Sequence, residues 1–214
     1  MIWGLIAARL GAETKKRLEP AMPPPVRREF AQAMLTDVIN ATLGAESLGG
    51  VSVLAGDEEA ARLAASLGAA TIPDPGQGLN PAVVAGMQFA ARQGASGVLV
   101  AMGDLPTLTA ADINRVVAAV PERGAAAAAS RDGTGTNLLA LRPPGLIGTH
   151  FGRNSLALHQ SAAREAGIDW QQVEPGGAAL DVDTPEDLME LKRQLREHSA
   201  LAITTRETLL TAGL

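Results

Sequence analysis

The chain has 214 residues, of which 46% are hydrophobic but only 2% aromatic, and it contains no cysteine. That length suits one enzyme-sized domain, and the absence of cysteine excludes disulfides, thiolate metal sites and a cysteine nucleophile. A formal net charge of −5, with two tryptophans and three phenylalanines as the whole aromatic stock, argues against nucleic acid as a partner, because a net acidic chain disfavours general phosphate-backbone binding and base stacking lacks its rings, while a local basic pocket stays open.

Met1–Leu10 carries Arg9 where a secretory signal would stay apolar, and no apolar run reaches membrane-spanning length. A cytoplasmic protein with no membrane partner is expected. Ile2–Ala8 reads as a buried strand that runs into a basic loop containing Arg9, Lys15, Lys16 and Arg17. After Pro23–Pro25, the apolar residues Phe30, Met34, Val38 and Ile39 recur at helical spacing up to Gly44, so Val26–Leu43 is predicted as a helix. Val51–Ala55 follows as a strand, then a helix capped by Asp57 that runs to Ser66 and ends at Gly68, then a strand over Ala69–Ile72. The stretch 73–80 is a loop by composition, and Pro81 is placed at the first position of a helix reaching Arg92.

Gly97–Met102 has the cleanest strand pattern and leads directly into Gly103-Asp104-Leu105-Pro106. A capped helix from Thr109 to Val120 comes next. Ala125–Ser130 is assigned as a strand because it is short and bounded by Gly124 and a turn, although alanine favours helix. A glycine loop (133–136), a strand over Asn137–Leu141, a helix over Asn154–Ala166, a strand near Trp170–Val173 and a helix over Pro185–Arg196 complete the series. Alternating strands and helices joined by short loops imply βαβ units, hence a largely parallel sheet with helices on both faces. Residues 1–197 are taken as one domain and 198–214 as a tail with weak helical periodicity.

In such a sheet, ligands bind beyond the carboxyl ends of the strands. The loop holding Arg9, Lys15 and Arg17 could surround a polyphosphate with charge-assisted hydrogen bonds, although a solvated charge run explains it equally well and no Walker or GxGxxG pattern is present. Asp104, directly after a buried strand, is a natural Mg²⁺ ligand, since the cap of the following helix is already supplied by Thr109. Asp181 and Asp183 lie two apart, so in extended chain both carboxylates can face one cation. Thr184 to Asp187, by contrast, reads as an ordinary helix start. The loops Gly133–Asn137 and Phe151–Ser155 are rich in backbone donors, and His159 lies one helical turn beyond Ser155. Three histidines without an HExxH pattern make a zinc enzyme improbable.

Taken in order, Ile6-Ala7-Ala8-Arg9, Lys15-Lys16-Arg17-Leu18, Gly78-Leu79-Asn80, Gly103-Asp104-Leu105-Pro106, Gly135-Thr136-Asn137, Phe151-Gly152 with Ser155 and His159, and Leu180-Asp181-Val182-Asp183-Thr184-Pro185 resemble the guanylyltransferases of coenzyme F-420 biosynthesis over nearly the whole chain. The resemblance implies a Rossmann-like nucleotidyltransferase fold. It implies Mg²⁺-dependent transfer of GMP from GTP to 2-phospho-L-lactate, phosphoenolpyruvate or 3-phosphoglycerate, with release of pyrophosphate. By the same resemblance Asp104, Asp181 and Asp183 would bind metal, and Lys15 and Arg17 would join Asp104 in the catalytic machinery. Arg9, Lys15, Arg17, Gly78 and Asn80 would hold the nucleotide, while Thr136, Gly152 and Ser155 would hold the acceptor. GTP and a small phosphorylated carboxylic acid are the expected partners, and a homodimer is compatible with the sequence. Two other readings stay open: a sugar-phosphate or molybdenum-cofactor nucleotidyltransferase, whose glycine-rich start is missing here, and a nucleotide-binding module without turnover.

Overall fold

Seven strands, in the spatial order β3-β2-β1-β4-β6-β5-β7, form one sheet in the computed structural model, which describes residues 1–11 and 14–214. The strands are β1 (Ile2–Ala8), β2 (Leu48–Ala55), β3 (Ala70–Pro73), β4 (Gly97–Met102), β5 (Gly124–Ala129), β6 (Thr136–Arg142) and β7 (Asp169–Val173). The helices are α1 (Pro24–Leu43), α2 (Glu58–Ser66), α3 (Leu79–Arg92), α4 (Ala110–Ala119), α5 (Ser155–Glu165), α6 (Pro185–Glu197) and α7 (Ile203–Thr211). Every predicted strand and helix is present, with ends shifted by a few residues. The sheet is parallel except for β6, which runs antiparallel to both β4 and β5. The reason is local: β5 and β6 are joined by a loop far too short for a parallel crossover.

Each face of the sheet buries its own layer. One packs Ile6, Leu99, Ala126, Ala128 and Leu138 against α1 and α4 residues such as Leu35, Ile39 and Ile113. The other packs Leu5, Val100, Ala127 and Leu139 against Val83 and Met87 of α3 and Leu156 of α5. The alanines of β5 alternate between these two layers and are all buried, so tertiary packing on both faces overrides alanine's preference for helix. The pairing of β5 with β6 carries a bulge. Ala128 pairs with Leu138 but Ala129 pairs with Thr136, leaving Asn137 as the extra residue.

Helix α1 has a second buried side, where Phe30 and Met34 meet Leu188, Leu191 and Leu195 of α6 and Leu209 of α7. The stretch after residue 198 is therefore packed structure, with its helix start secured by α1. The backbone N–H groups of Thr204 and Thr205 donate to the two carboxylate oxygens of Asp37, at 3.0 and 2.8 Å, which satisfies two of the orphan donors of α7. Helix α3 begins at Leu79 rather than Pro81. Proline at its third position still costs nothing, because that N–H would have no intrahelical partner. Among the described residues no helix is long and apolar enough to cross a membrane.

Candidate active site

The carboxyl ends of β1 and β4 open into a cavity of about 470 Å³, lined from the strand ends by Ala8, Arg9, Gly103 and Asp104. At its floor the Lys15 ammonium lies 2.6 Å from Asp104 Oδ2 and 2.7 Å from Asp183 Oδ1. The Lys15 side chain is only 9% exposed, and its backbone is left-handed, with φ 51°. Burial pulls the Lys15 ammonium down, but Asp104 and Asp183 more than offset that, and its pKa stands above the ordinary lysine value. The lysine is thus held charged where it can meet further anionic oxygens.

Asp183 is delivered by the segment after the 3-10 turn Gly176–Ala179. The backbone N–H of Val182 donates to the Asp104 carbonyl, tying that segment to the end of β4. The helix start that follows is a capping box in which Thr184 and Asp187 satisfy each other's backbone donors, as expected for Thr184 to Asp187. Asp181 accepts from the Asn137 side chain at 3.3 Å. Burial, then the nearby Asp104, pushes the Asp181 carboxyl up. Among the described residues no three His, Asp or Glu side chains form a ready-made metal cage. Lys15 sits between two of the three expected ligands.

Arg9 and Gly78 also line this cavity. Arg9 is largely exposed and pairs with Asp74 at 3.2 Å, and Gly78 takes φ 97°, a conformation suited to glycine, at the cap of α3. Arg17 does not join them. It is exposed on the 3-10 turn Lys16–Leu18, outside the cavity lining, because that turn carries its side chain away while Leu18 goes into the core. Residues 12 and 13 of the basic loop lie outside the described residues.

Asn80, expected near the nucleoside, has a different task. Its Oδ1 accepts from the Phe151 N–H at 2.7 Å and its Nδ2 donates to the Phe151 carbonyl at 3.0 Å. Both polar atoms of the side chain are thereby engaged in clasping the loop before α5. Just beyond the clasp, Gly152 has φ 127°, so a side chain there would be strained. Ser155 Oγ accepts from the Thr136 N–H at 2.8 Å, and Thr136 Oγ1 lies 3.0 Å from His159 Nδ1. Thr136, Ser155 and His159 are all buried. The antiparallel register of β6 against β4 places Thr136 at the same rim as Gly103 and Asp104.

Two groups of site residues therefore emerge. Lys15, Asp104 and Asp183 meet directly, with Arg9 and Gly78 in the same cavity; Asn80, Thr136, Gly152 and Ser155 form a neighbouring loop cluster that Asn137 connects to Asp181. Asp74 was not singled out from the sequence, yet it lines the cavity, with its Oδ1 accepting from Gly76 N–H at 2.8 Å. Its place immediately after β3 is the signal that could have found it, since that is where ligands of parallel sheets are met.

A doubly covered, mostly parallel sheet with acids and a buried lysine beyond its strand ends fits a nucleotidyltransferase. The fold agrees: a nucleotidyl transferase from Methanothermobacter thermautotroptrophicus superposes with a TM-score of 0.66 at 14% identity, covering 92% of this chain and 99% of that one. The family model described as "Guanylyl transferase CofC like" matches residues 4–198. The chain is 41% identical over 177 residues to the phosphoenolpyruvate guanylyltransferase of Sphaerobacter thermophilus, covering 83% of this chain and 86% of that protein. It is 37% identical over 198 residues to the 3-phospho-D-glycerate guanylyltransferase of Phenylobacterium zucineum, covering 90% of each. The chain belongs to the CofC-like guanylyltransferase family and is a guanylyltransferase.

Proposed function

We propose that this enzyme transfers GMP from GTP to the phosphate of a small three-carbon carboxylic acid, phosphoenolpyruvate or 3-phosphoglycerate, in a step of coenzyme F-420 biosynthesis. The observation that carries the reading is the Lys15 ammonium held between Asp104 and Asp183 at the strand ends, beside a second cluster of buried hydroxyls. A phosphate oxygen of the acceptor attacks the α-phosphorus of GTP. The new P–O bond forms as the bond from the α-phosphorus to the bridging oxygen breaks, and the electron pair leaves with pyrophosphate. Such a transfer needs positioning and charge neutralisation rather than a covalent nucleophile.

Lys15 and Arg9 supply positive charge to the phosphates, and Gly78 lets the backbone approach them. Thr136, Gly152 and Ser155 hold the acceptor at the rim they share with Asp104. The cavity lining contains no aromatic ring among the described residues, so guanine is read by polar edges. Asp74 lines the same cavity, and its carboxylate, which accepts from Arg9 and from the Gly76 N–H, keeps further lone pairs for the paired N–H donors of guanine. Asp104, Asp181 and Asp183 fit Mg²⁺. They offer only hard oxygen donors, and the Asp181 carboxyl, pushed up first by burial and then by Asp104, is one whose charged form a cation would stabilise. When bound there, Mg²⁺ supplies Lewis-acid neutralisation of phosphate charge.

The test is pyrophosphate release by the purified protein with GTP and Mg²⁺, assayed against phosphoenolpyruvate, 3-phosphoglycerate and 2-phospho-L-lactate. Release with one of the first two is expected. Silence with all three overturns the reading, and turnover only with 2-phospho-L-lactate overturns the choice of acceptor.

A further inference from the structure

His159 stands one turn into α5 and is fully buried, and its surroundings fix where its proton sits. Its Nε2 lies 2.9 Å from the backbone N of His150, which can only donate, so Nε2 is the accepting nitrogen. Burial, with His150 nearby, holds its pKa down to about 4, so the ring is neutral at neutral pH. The single ring proton is therefore on Nδ1, and it is donated to Thr136 Oγ1 at 3.0 Å.

That donation decides what Thr136 can do next. A hydroxyl that already receives an N–H keeps its own hydrogen to give, and among the described residues Thr136 has no acceptor for it. Ser155 repeats the pattern. Its Oγ receives the Thr136 N–H, and its hydrogen also meets no acceptor among the described residues. Thr136 is 3% exposed and Ser155 2%. Two buried hydroxyls, each set to donate and each without an acceptor among the described residues, form a pair suited to an accepting oxygen, since leaving such donors unmatched is costly.

We propose that His159 is a positioning residue for the acceptor: by donating from Nδ1 it commits the Thr136 hydroxyl to donate in turn, so that the site takes an ionised phosphate or carboxylate oxygen and not a group that must itself donate. Neither His150 nor Phe151 needs to touch the acceptor for this. The backbone of His150 fixes the tautomer, and the Phe151 ring packs edge-on against the imidazole at 4.9 Å between centroids. The inference rests on the reading that Thr136 and Ser155 hold the phosphoacid.

The experiment is steady-state kinetics of the full chain with GTP, Mg²⁺ and whichever of phosphoenolpyruvate or 3-phosphoglycerate the wild type turns over, with acceptor and GTP varied separately. His159→Leu removes the Nδ1 donor, whereas His159→Asn keeps an N–H close to the place of Nδ1 and covers the case in which leucine does not fold. Expected are an acceptor KM raised about tenfold in His159→Leu with the GTP KM within about twofold, and recovery of most of that loss in His159→Asn. Thr136→Val should raise the acceptor KM by a similar factor, and adding His159→Leu to it should cost little more. An unchanged acceptor KM in His159→Leu, no recovery with asparagine, or equal rises in both KM values would overturn the role of His159. An unchanged acceptor KM in Thr136→Val would instead overturn the acceptor-site reading beneath it.

Discussion

The two halves of the site are built on opposite electrostatic terms. Around Lys15 the groups are charged and partly open to water: the Asp104 side chain is 28% exposed and that of Asp183 is 41%. Around His159 the Thr136 and Ser155 side chains are neutral and buried, and hydrogen bonds run from Asn80 to Phe151 and from His150 through His159 to Thr136. The first arrangement suits ligands whose charge changes during reaction, because ions at a cavity wall can exchange partners. The second suits a ligand of fixed shape, because its groups have few other partners to turn to. In the proposed reaction, charge serves the chemistry on one side and orientation serves acceptor selection on the other.

The sharpest way to break this contrast is on the charged side. Asp183→Asn keeps volume while removing charge, and turnover should fall a hundredfold or more, on the order of losing one electrostatic contributor to the transition state. Its thermal midpoint should move by no more than a few degrees. A variant within about threefold of wild-type kcat would show that Asp183 is structural.

The neutral side should reveal itself through acid. Ordinary histidine titrates near 6.5, but His159, buried and near His150, is held to about 4 in the folded chain. Between those values the unfolded chain binds a proton that the folded chain refuses. The stability present above pH 6.5 is therefore lost progressively as pH falls toward 4, by about 3 kcal/mol from this group. Urea unfolding of wild type and His159→Asn at pH 7 and near pH 4 measures it. The gap between the two proteins should narrow in acid, and an unchanged gap would show that His159 titrates normally.

Asn80→Ala tests whether the clasp on Phe151 is orientation alone. It leaves the Phe151 N–H and carbonyl without their partner and should destabilise by about 2 kcal/mol. The acceptor KM should rise more than the GTP KM. A larger change for GTP would place Asn80 at the nucleoside, where the family resemblance implies it. The smallest effect is expected far from both halves. Asp37→Ala removes the cap of α7 and should cost about 1 kcal/mol in denaturant unfolding with kcat/KM unaltered, whereas a fall in kcat/KM would tie the C-terminal helix to the site.

Most of the architecture was legible because its signals are local. Asp57, Thr109 and Thr184 cap helices in the structure as their sequence context implies, and β4 has the predicted limits. The direction of β6 was not drawn from periodicity, which carries no information about pairing; it follows from the length of the loop before it. The acids at strand ends were readable from the rule that ligands gather there. The contacts of Asn80 and the exposure of Arg17 were not, because side-chain orientation depends on tertiary packing: Asn80 meets Phe151, 71 residues away, and Arg17 is turned outward as its neighbour Leu18 enters the core. Asp74 looked like part of a turn, and only the cavity shows what it faces.

The bulge between β5 and β6 has a consequence for how the two halves communicate. Leu138 belongs to the layer under α4, so unbroken alternation would send Thr136 to that layer and Asn137 to the opposite one. The extra residue reverses this. Thr136 shares the face of its partner Ala129 and reaches His159, whereas Asn137 reaches the carbonyl of Ala178 and the carboxylate of Asp181. Two consecutive residues thus address opposite sides of one sheet, and a single inserted residue determines which half each serves. Deleting one residue from the hairpin so as to erase the bulge would leave the strand intact and exchange its loyalties, turning the threonine toward the acids and the asparagine toward the imidazole.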